Sequence, residues 1–178
     1  MIKHGYSADI KLLKITIPNI DELRSWCHSL IPKMRCSYSQ YARDRAEIWL
    51  FHDVNLASGK VNLGYSNPRI FQFCQLIYPG CNIGLLTFGG TKFGVSSTGL
   101  ITPHRDHTFA MPIARSVNLG EAIFGYGDDE HKQYLLNDGN VIEFNCKVLH
   151  SVSQIVSSER FSLNLWQLNQ AKGYQSLL

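Results

Sequence analysis

The chain has 178 residues, of which 44% are hydrophobic and 17% charged, and its formal net charge at pH 7 is +3. This composition excludes a disordered protein, and the length is sufficient for one domain with a sizeable core. The mild positive charge permits contact with nucleic acid without requiring it. The five cysteines include no C-x-x-C pair, so they indicate neither a disulfide framework nor a zinc knuckle, and a reducing compartment fits them best.

Neither a leader sequence nor a membrane span is indicated. The first 17 residues carry charges throughout and lack the apolar core and small-residue cleavage site of a signal peptide. No apolar run approaches the roughly 18 residues that a membrane-spanning helix requires. We therefore expect a cytoplasmic protein without a membrane partner.

Two helices and one strand are predicted before residue 82. Apolar residues recur at spacings of three and four between residues 19 and 31, which is typical of one face of a helix. Asn67 followed by Pro68 is a helix cap and a first-turn proline, so a second helix should start there and stop at residues 78–80. Between the helices, residues 47–52 read as a strand.

From residue 82 onward the sequence consists of short apolar segments separated by glycine and aspartate turns. Eight predicted strands in residues 82–170 favour a sandwich or barrel of jelly-roll type, so the fold class is mainly β with flanking N-terminal helices. We expect one domain, 1–178, in which residues 1–81 support this strand core. The predicted strands are Ile83–Phe88, Thr98–Asp106, Ala114–Leu119, Ala122–Tyr126, Gln133–Leu136, Val141–Phe144, Val148–Ile155 and Arg160–Leu168.

The segment TPHRDHTF, residues 102–109, contains the first candidate for chemistry. In a strand, residues i and i+2 share a face, so His104 and Asp106 should project together. Because an unpartnered buried carboxylate is costly, a partner such as a metal ion is implied, and His150, in an apolar strand, is the strongest third ligand. Two histidines and one carboxylate leave three adjacent metal positions open, the arrangement of non-haem Fe(II) oxygenases.

Arg160 and Ser162 form a second pair at i and i+2. A guanidinium suits bidentate carboxylate binding and a hydroxyl adds a third hydrogen bond, so the pair could anchor an acidic cosubstrate. The alternative is that Arg160 pairs with Glu159 or another surface acid.

The segment from Leu136 to Trp166, which includes NDGN, VIEF, VLHSV and RFS, resembles the C-terminal half of the Fe(II)/2-oxoglutarate-dependent dioxygenases. With the upstream His104-Arg105-Asp106, the resemblance covers about residues 99–168. One departure is the turn at residues 138–140, which reverses the family's usual Gly-Asp order.

The resemblance implies a double-stranded β-helix, a cupin-like jelly roll, and a hydroxylase. It implies that His104, Asp106 and His150 are the catalytic iron ligands, and that Arg160 with Ser162 binds the distal carboxylate of 2-oxoglutarate. The family consumes O2 and 2-oxoglutarate, releases succinate and CO2, and hydroxylates a C–H bond of its substrate. Here that substrate would be a small molecule or an amino-acid residue.

Three further residues are candidates for substrate contact. Arg115 lies in a predicted core strand and could read a substrate carboxylate, or it could form an ion pair with Asp106 or Glu121. The glycine-rich segment 88–99 lacks the patterns of a phosphate-binding loop and is predicted to be a mobile lid. Lys92 and Ser96 in that segment would then contact the substrate.

Two alternatives remain open. One is a non-catalytic jelly-roll module with a structural metal, most simply zinc, in which a carboxylate anchor at Arg160 would have no purpose. The other is a nucleobase oxygenase or demethylase acting on DNA or RNA. One branch of such demethylases carries a second arginine six positions after the first, where this chain has Trp166. A basic groove for nucleic acid would be formed by Arg43, Arg45, Lys60 and Arg69.

Overall fold

The computed structural model describes residues 10–178, and residues 1–9, in which no leader was predicted, lie outside the described part. Two α-helices, two short 3-10 helices (Ile31–Lys33 and Gln170–Lys172) and fourteen strands are present in the described part. The helices are α1 (Ile20–Leu30) and α2 (Pro68–Ile77). The strands are β1 (Lys11–Leu13), β2 (Arg35–Cys36), β3 (Ala46–Leu50), β4 (His52–Val54), β5 (Val61–Leu63), β6 (Ile83–Lys92), β7 (Val95–Thr98), β8 (Ile101–His104), β9 (Ile113–Leu119), β10 (Ala122–Tyr126), β11 (Lys132–Leu136), β12 (Val141–Asn145), β13 (His150–Ile155) and β14 (Arg160–Trp166).

The strands form two antiparallel sheets that face each other. The major sheet has the order β1-β12-β9-β14-β6-β3-β2, with β7 also paired to β6, and the minor sheet has the order β11-β10-β13-β8. Strands β4 and β5 form a separate hairpin. The predicted mainly β fold of jelly-roll type is therefore confirmed, and the N-terminal strand β3 is a full member of the major sheet.

Two apolar clusters hold these layers together. The outer core lies between the helices and the outer face of the major sheet, where residues such as Leu86 of β6 and Leu163 of β14 meet Cys27 of α1 and Cys74 of α2. The inner core lies between the two sheets and includes Phe124 of β10 and Phe144 of β12. Asn67 caps α2 by accepting backbone hydrogen bonds at 3.0 and 3.3 Å, as its place before Pro68 predicts.

Most predicted elements are present within a few residues, but two predictions were wrong. The segment 88–99 is not a lid loop, because its residues form the end of β6 and the paired strand β7. The predicted strand 98–106 is interrupted at Gly99, where φ is +66°, and ends at His104. Glycine is required at 99 because a Cβ there would lie 2.6 Å from the Cα of Gly89.

No helix within residues 10–178 has the length and apolar character needed to cross a lipid bilayer.

Candidate active site

Two neighbouring strands of the minor sheet bring two imidazoles together. His104 ends β8, His150 begins β13, and the two residues are partners in the antiparallel register. The centroids of their rings are 4.3 Å apart. The Nε2 atoms of His104 and His150 lie 3.2 and 3.3 Å from Oδ1 of Asp106. The three ligand atoms are all within 4.8 Å of one another, which is the spacing of a metal-binding group.

Asp106 reaches this position from outside the strand. The expectation that it shares a strand face with His104 was wrong, because β8 has already ended. The backbone N–H of Asp106 donates to the carbonyl of Cys146 at 2.9 Å, and Lys147 Nζ donates to the Asp106 carbonyl at 3.2 Å. The turn after β8 is thus held against the β12–β13 connection, and this contact directs the carboxylate to the imidazoles.

The hydrogen bonds around the three residues leave their free electron pairs facing one point. Nδ1 of His104 donates to the carbonyl of Thr102 at 3.0 Å, and Nδ1 of His150 donates to that of Val148 at 2.9 Å. The ring atom that each imidazole turns to Asp106 is therefore Nε2. The other carboxylate oxygen, Oδ2, accepts a hydrogen bond from Trp166 Nε1 at 3.0 Å. A divalent cation can bind all three converging atoms at once, so the residues fit a metal ion.

Electrostatics keep the carboxylate ionised. Burial raises the pKa of Asp106, but attraction to His150 and His104 outweighs it and holds the pKa well below its ordinary range. For His150, burial lowers the pKa and Asp106 raises it by more, so the net shift is upward. The group therefore carries a negative oxygen that is ready to bind a cation.

A cavity of about 880 Å³ extends from this group between the two sheets. Alternate residues of β14 line it, namely Arg160, Ser162, Asn164 and Trp166, as expected for one face of a strand. The same strand thus contacts Asp106 through its last residue and carries Arg160 at its first. The lining also includes Arg35 and residues 37–41, before β3, and residues of the β4–β5 hairpin.

Arg160 is a buried cation with no counterion among residues 10–178. Its residue surface is 3% exposed, and its Nε donates to Asn118 Oδ1 at 2.7 Å. Within the described residues no carboxylate lies within salt-bridge distance of it, and Glu159, the alternative partner, instead contacts His28 at 2.7 Å. Burial and the nearby Arg45 lower the pKa of Arg160 to about 9, so the group is still charged at neutral pH. A buried unpaired charge is costly, and the cavity in front of Arg160 is therefore suited to an anion.

Ser162 belongs to a polar network on the cavity floor. Its Oγ lies 3.1 Å from Ser116 Oγ and donates to Asn164 Oδ1 at 3.0 Å. Asn164 in turn donates to the carbonyl of Leu85 at 3.1 Å. These contacts fix the orientation of the Ser162 hydroxyl in the cavity.

The three candidate substrate residues are not brought to the cavity. Arg115 projects from the other face of β9, where its Nε donates to Glu143 at 2.8 Å and its Nη1 to the carbonyl of Ile77 at 2.7 Å. Lys92 lies over the ring of Phe93, and Ser96 accepts a hydrogen bond from Thr91, both in the β6–β7 hairpin. None of the three lines the cavity.

Sequence reasoning missed the contribution of β3. Arg45, Glu47 and Trp49 line the cavity, and Arg45 donates to Glu47 at 2.8 Å in an ion pair that is almost fully buried. The alternation Arg-Ala-Glu-Ile-Trp at residues 45–49 could have predicted this, because residues two apart in a strand share a face. Of the four candidates for a basic groove, only Arg45 lines the cavity.

No family model matches this chain, and no curated protein matches it in sequence. Solved structures do match its fold. An oxidoreductase of the 2OG-Fe(II) oxygenase family from Burkholderia pseudomallei is 12% identical, with 88% of this chain and 84% of that one covered at a TM-score of 0.62. A prolyl hydroxylase from Trichoplax adhaerens, in complex with a peptide fragment of hypoxia inducible factor, is 10% identical, with 95% and 89% covered and a TM-score of 0.62.

A prolyl-4-hydroxylase from Pseudomonas putida is also similar, at 12% identity, with 90% of this chain and 92% of that one covered and a TM-score of 0.54. The fold of this chain is therefore the double-stranded β-helix of the 2-oxoglutarate and Fe(II) oxygenases. At these identities the likeness defines the fold alone.

Proposed function

We propose that the protein is an Fe(II)- and 2-oxoglutarate-dependent dioxygenase that hydroxylates a C–H bond of a small molecule or an amino-acid residue. The observation that carries the proposal is one cavity with two complementary features. Three metal-ligand atoms converge on one point, and the unpaired guanidinium of Arg160 lies further along the same cavity face. A dianionic cosubstrate that chelates a metal at one end and carries a carboxylate at the other meets both requirements.

In this proposal, His104 and His150 bind iron through Nε2 and Asp106 binds it through Oδ1. The bound iron would supply activation of O2, coupled to oxidative decarboxylation of 2-oxoglutarate to succinate and CO2. The carbonyls of Thr102 and Val148 hold the imidazoles in the tautomer that ligation needs. Trp166 keeps Oδ2 of Asp106 occupied, so the carboxylate offers one oxygen and three adjacent metal positions stay open.

Arg160 would hold the distal carboxylate of 2-oxoglutarate, and Ser162 would add a hydrogen bond once its hydroxyl proton turns from Asn164 to the ligand. The terminal nitrogens of Arg160 have no hydrogen-bond partner within residues 10–178, and its Nε is fixed by Asn118. A guanidinium oriented in this way presents a fork to a carboxylate, with little rotamer freedom left to lose.

The substrate class rests on the fold neighbours and on the cavity. Two of the neighbours are prolyl hydroxylases, which supports an amino-acid residue or a related small molecule as substrate. A nucleobase substrate has less support, because position 166 is a tryptophan that contacts Asp106 and Arg45 is paired with Glu47. A purely structural metal site gives no reason for the unpaired Arg160.

The test is an anaerobic titration of the metal-free protein with Fe(II) and then 2-oxoglutarate, in wild type and Arg160→Ala. We expect the weak visible charge-transfer band of the chelate in wild type and a much higher half-saturating concentration in the variant. Exposure to O2 should then release succinate. Absence of the band in wild type would overturn the proposal in favour of a structural metal module.

A further inference from the structure

The cavity end that holds Arg160 contains a second buried arginine. Arg45 immediately precedes β3, whose first residue, Ala46, is paired with Phe88 of β6. Arg45 is therefore level with Gly89, and Gly89 is paired with Arg160 on the other side of β6. The two arginines flank the same glycine, and both line the cavity.

Arg45 has an unsatisfied donor. Its residue surface is 7% exposed, and its Nη2 donates to Glu47 at 2.8 Å. Its Nε is fully buried and has no hydrogen-bond partner within residues 10–178. The donor that a ligand in the cavity can reach is Nη1, which makes no hydrogen bond in the described part of the chain and is not fully buried. Since buried donors are almost always paired, this arginine indicates an acceptor supplied by a ligand or by water.

A third donor lies between the two arginines. Thr87 is paired in register with Glu47 on one side and with Ser162 on the other, and it lines the cavity. Its hydroxyl makes no hydrogen bond within the described residues, although the residue is only 3% exposed. Arg45, Thr87 and Arg160 thus place unpaired donors at one end of the cavity.

The charges at this end require an anion. Arg45 and Arg160 contribute two positive charges, and Glu47, the only acid paired with either of them in the described chain, contributes one negative charge. One positive charge of the two arginines is therefore left without a counterion among the described residues. One carboxylate would neutralise it, and a carboxylate has sites for about four hydrogen bonds, enough for at least one from each of the three residues.

We infer that Arg45 is a second anchor for the distal carboxylate of the cosubstrate, acting with Arg160 and oriented by its ion pair with Glu47. This inference rests on the proposed function, because it assigns Arg45 to the same cosubstrate. In this arrangement Glu47 positions Arg45 through their ion pair, and Thr87 donates a hydrogen bond to the same carboxylate.

The test compares two oxoacids on the anaerobic Fe(II) protein. 2-Oxoglutarate and 2-oxopentanoate have the same chain length and the same chelating end, but only the first has a distal carboxylate. The ratio of their half-saturating concentrations, read from the charge-transfer band or by calorimetry, measures the carboxylate preference without turnover.

Three variants isolate Arg45. The double variant Arg45→Gln/Glu47→Gln removes the guanidinium without leaving a buried carboxylate unpaired. Arg45→Lys keeps the charge and the pairing with Glu47 but removes the second terminal nitrogen, Nη1. Arg69→Gln is the matched control, since Arg69 is an exposed arginine paired with Glu22 outside the cavity.

We expect the double variant to lose at least about tenfold in carboxylate preference, because a hydrogen bond to a charged group is lost. Binding of 2-oxopentanoate should be unchanged, Arg45→Lys should fall between, and Arg69→Gln should match wild type. Wild-type preference in the double variant would overturn the inference and leave Arg160 as the sole anchor. If the double variant fails to fold, wild-type preference in Arg45→Lys overturns it instead. If wild type itself gives no band with 2-oxoglutarate, the inference and the proposed function both fail.

Discussion

At the scale of single residues, the contact between Trp166 and Asp106 links the metal group to the major sheet. Trp166 ends β14, and its indole also packs at 5.6 Å from Phe109 and 6.2 Å from Trp49, measured between ring centroids. The Nε1–H is thus aimed at Asp106 Oδ2 by an aromatic cluster that leaves it little freedom. Hydrogen bonds of this kind set the orientation of a metal-binding carboxylate.

Replacing Trp166 by Phe should therefore weaken metal binding while keeping the cavity wall aromatic. We expect affinity for Mn(II) or Fe(II) to fall by roughly tenfold, because Asp106 loses the donor that orients it. Direct metal titration would measure the change. Trp49→Phe is the matched control, since the indole of Trp49 makes no hydrogen bond in the described chain, and equal affinities in the two variants would contradict the prediction.

Some residues of the site could be predicted from the sequence and others could not. His104, Asp106 and His150 were identified from residue types, spacing and a family resemblance, and the structure brings them together even though the one-strand argument for the first two was wrong. Arg115 could not be assigned, because its partner Glu143 lies on a neighbouring strand and no local pattern reports which face a charged residue occupies. A role for Arg45 at the cosubstrate could be inferred only after the structure showed that residues of β3 line the cavity.

At the scale of elements, the β7–β8 junction packs closely against β6. Gly89 and Gly99 approach so closely there that a Cβ on either would meet the other's Cα at 3.0 Å or less. Two of the four glycines that suggested a lid, Gly89 and Gly99, are instead required by this contact. Sequence alone shows the glycines but does not distinguish a hinge from a close crossing.

Gly99→Ala should destabilise the protein by more than Gly94→Ala. Both residues have positive φ, +66° and +75°, but a Cβ at 94 meets nothing within 4 Å, whereas one at 99 overlaps Gly89. Each substitution carries a backbone strain of roughly 1 kcal/mol, and only Gly99→Ala adds the steric clash. Chemical denaturation of both variants measures the difference, and equal free energies of unfolding would show that the crossing is not tight.

The docking of α2 onto the major sheet depends on Arg115. This residue joins Glu143 of β12 to the carbonyl of Ile77 at the end of α2, and its guanidinium also lies 5.0 Å from the ring of Tyr78. Its location explains why an arginine flanked by apolar residues need not face a substrate.

Arg115→Gln should lower the free energy of unfolding by about 1–3 kcal/mol, since it breaks partly buried hydrogen bonds to a charged group. The half-saturating concentration of 2-oxoglutarate should stay at its wild-type value. Arg69→Gln, which breaks an exposed ion pair of the same helix, should change the stability by less than about 1 kcal/mol. A stability loss no larger than that control would show that Arg115 does not hold α2 in place.

At the scale of the whole molecule, metal binding should be coupled to stability. The ligands come from the minor sheet and the turn after β8, and Trp166 of the major sheet contacts Asp106, so an ion at this point joins both layers. An ion that binds only the folded state stabilises it by RT ln(1 + [L]/Kd).

Mn(II) at about one hundred times its Kd should raise the melting temperature by roughly 5–10 °C, equivalent to about 2.7 kcal/mol. Asp106→Ala should abolish this shift, because it removes the shared anionic ligand. His107→Ala, an exposed neighbour outside the ligand group, should keep it. Thermal denaturation with and without Mn(II) is the measurement, and a shift that survives in Asp106→Ala would place the metal elsewhere.

The position of the outer core has a consequence for how this protein can change. The apolar contacts that attach the helices to the major sheet lie on the face opposite the cavity, whereas that sheet's cavity face carries polar side chains such as Glu47, Thr87 and Ser162. Because much of the folding free energy is generated on the helix side, we expect many single exchanges on the cavity side, outside the buried Arg45–Glu47 pair, to cost little stability. Substrate preference could then diverge rapidly between related chains, and a library randomised at cavity-facing positions would retain a high proportion of folded members.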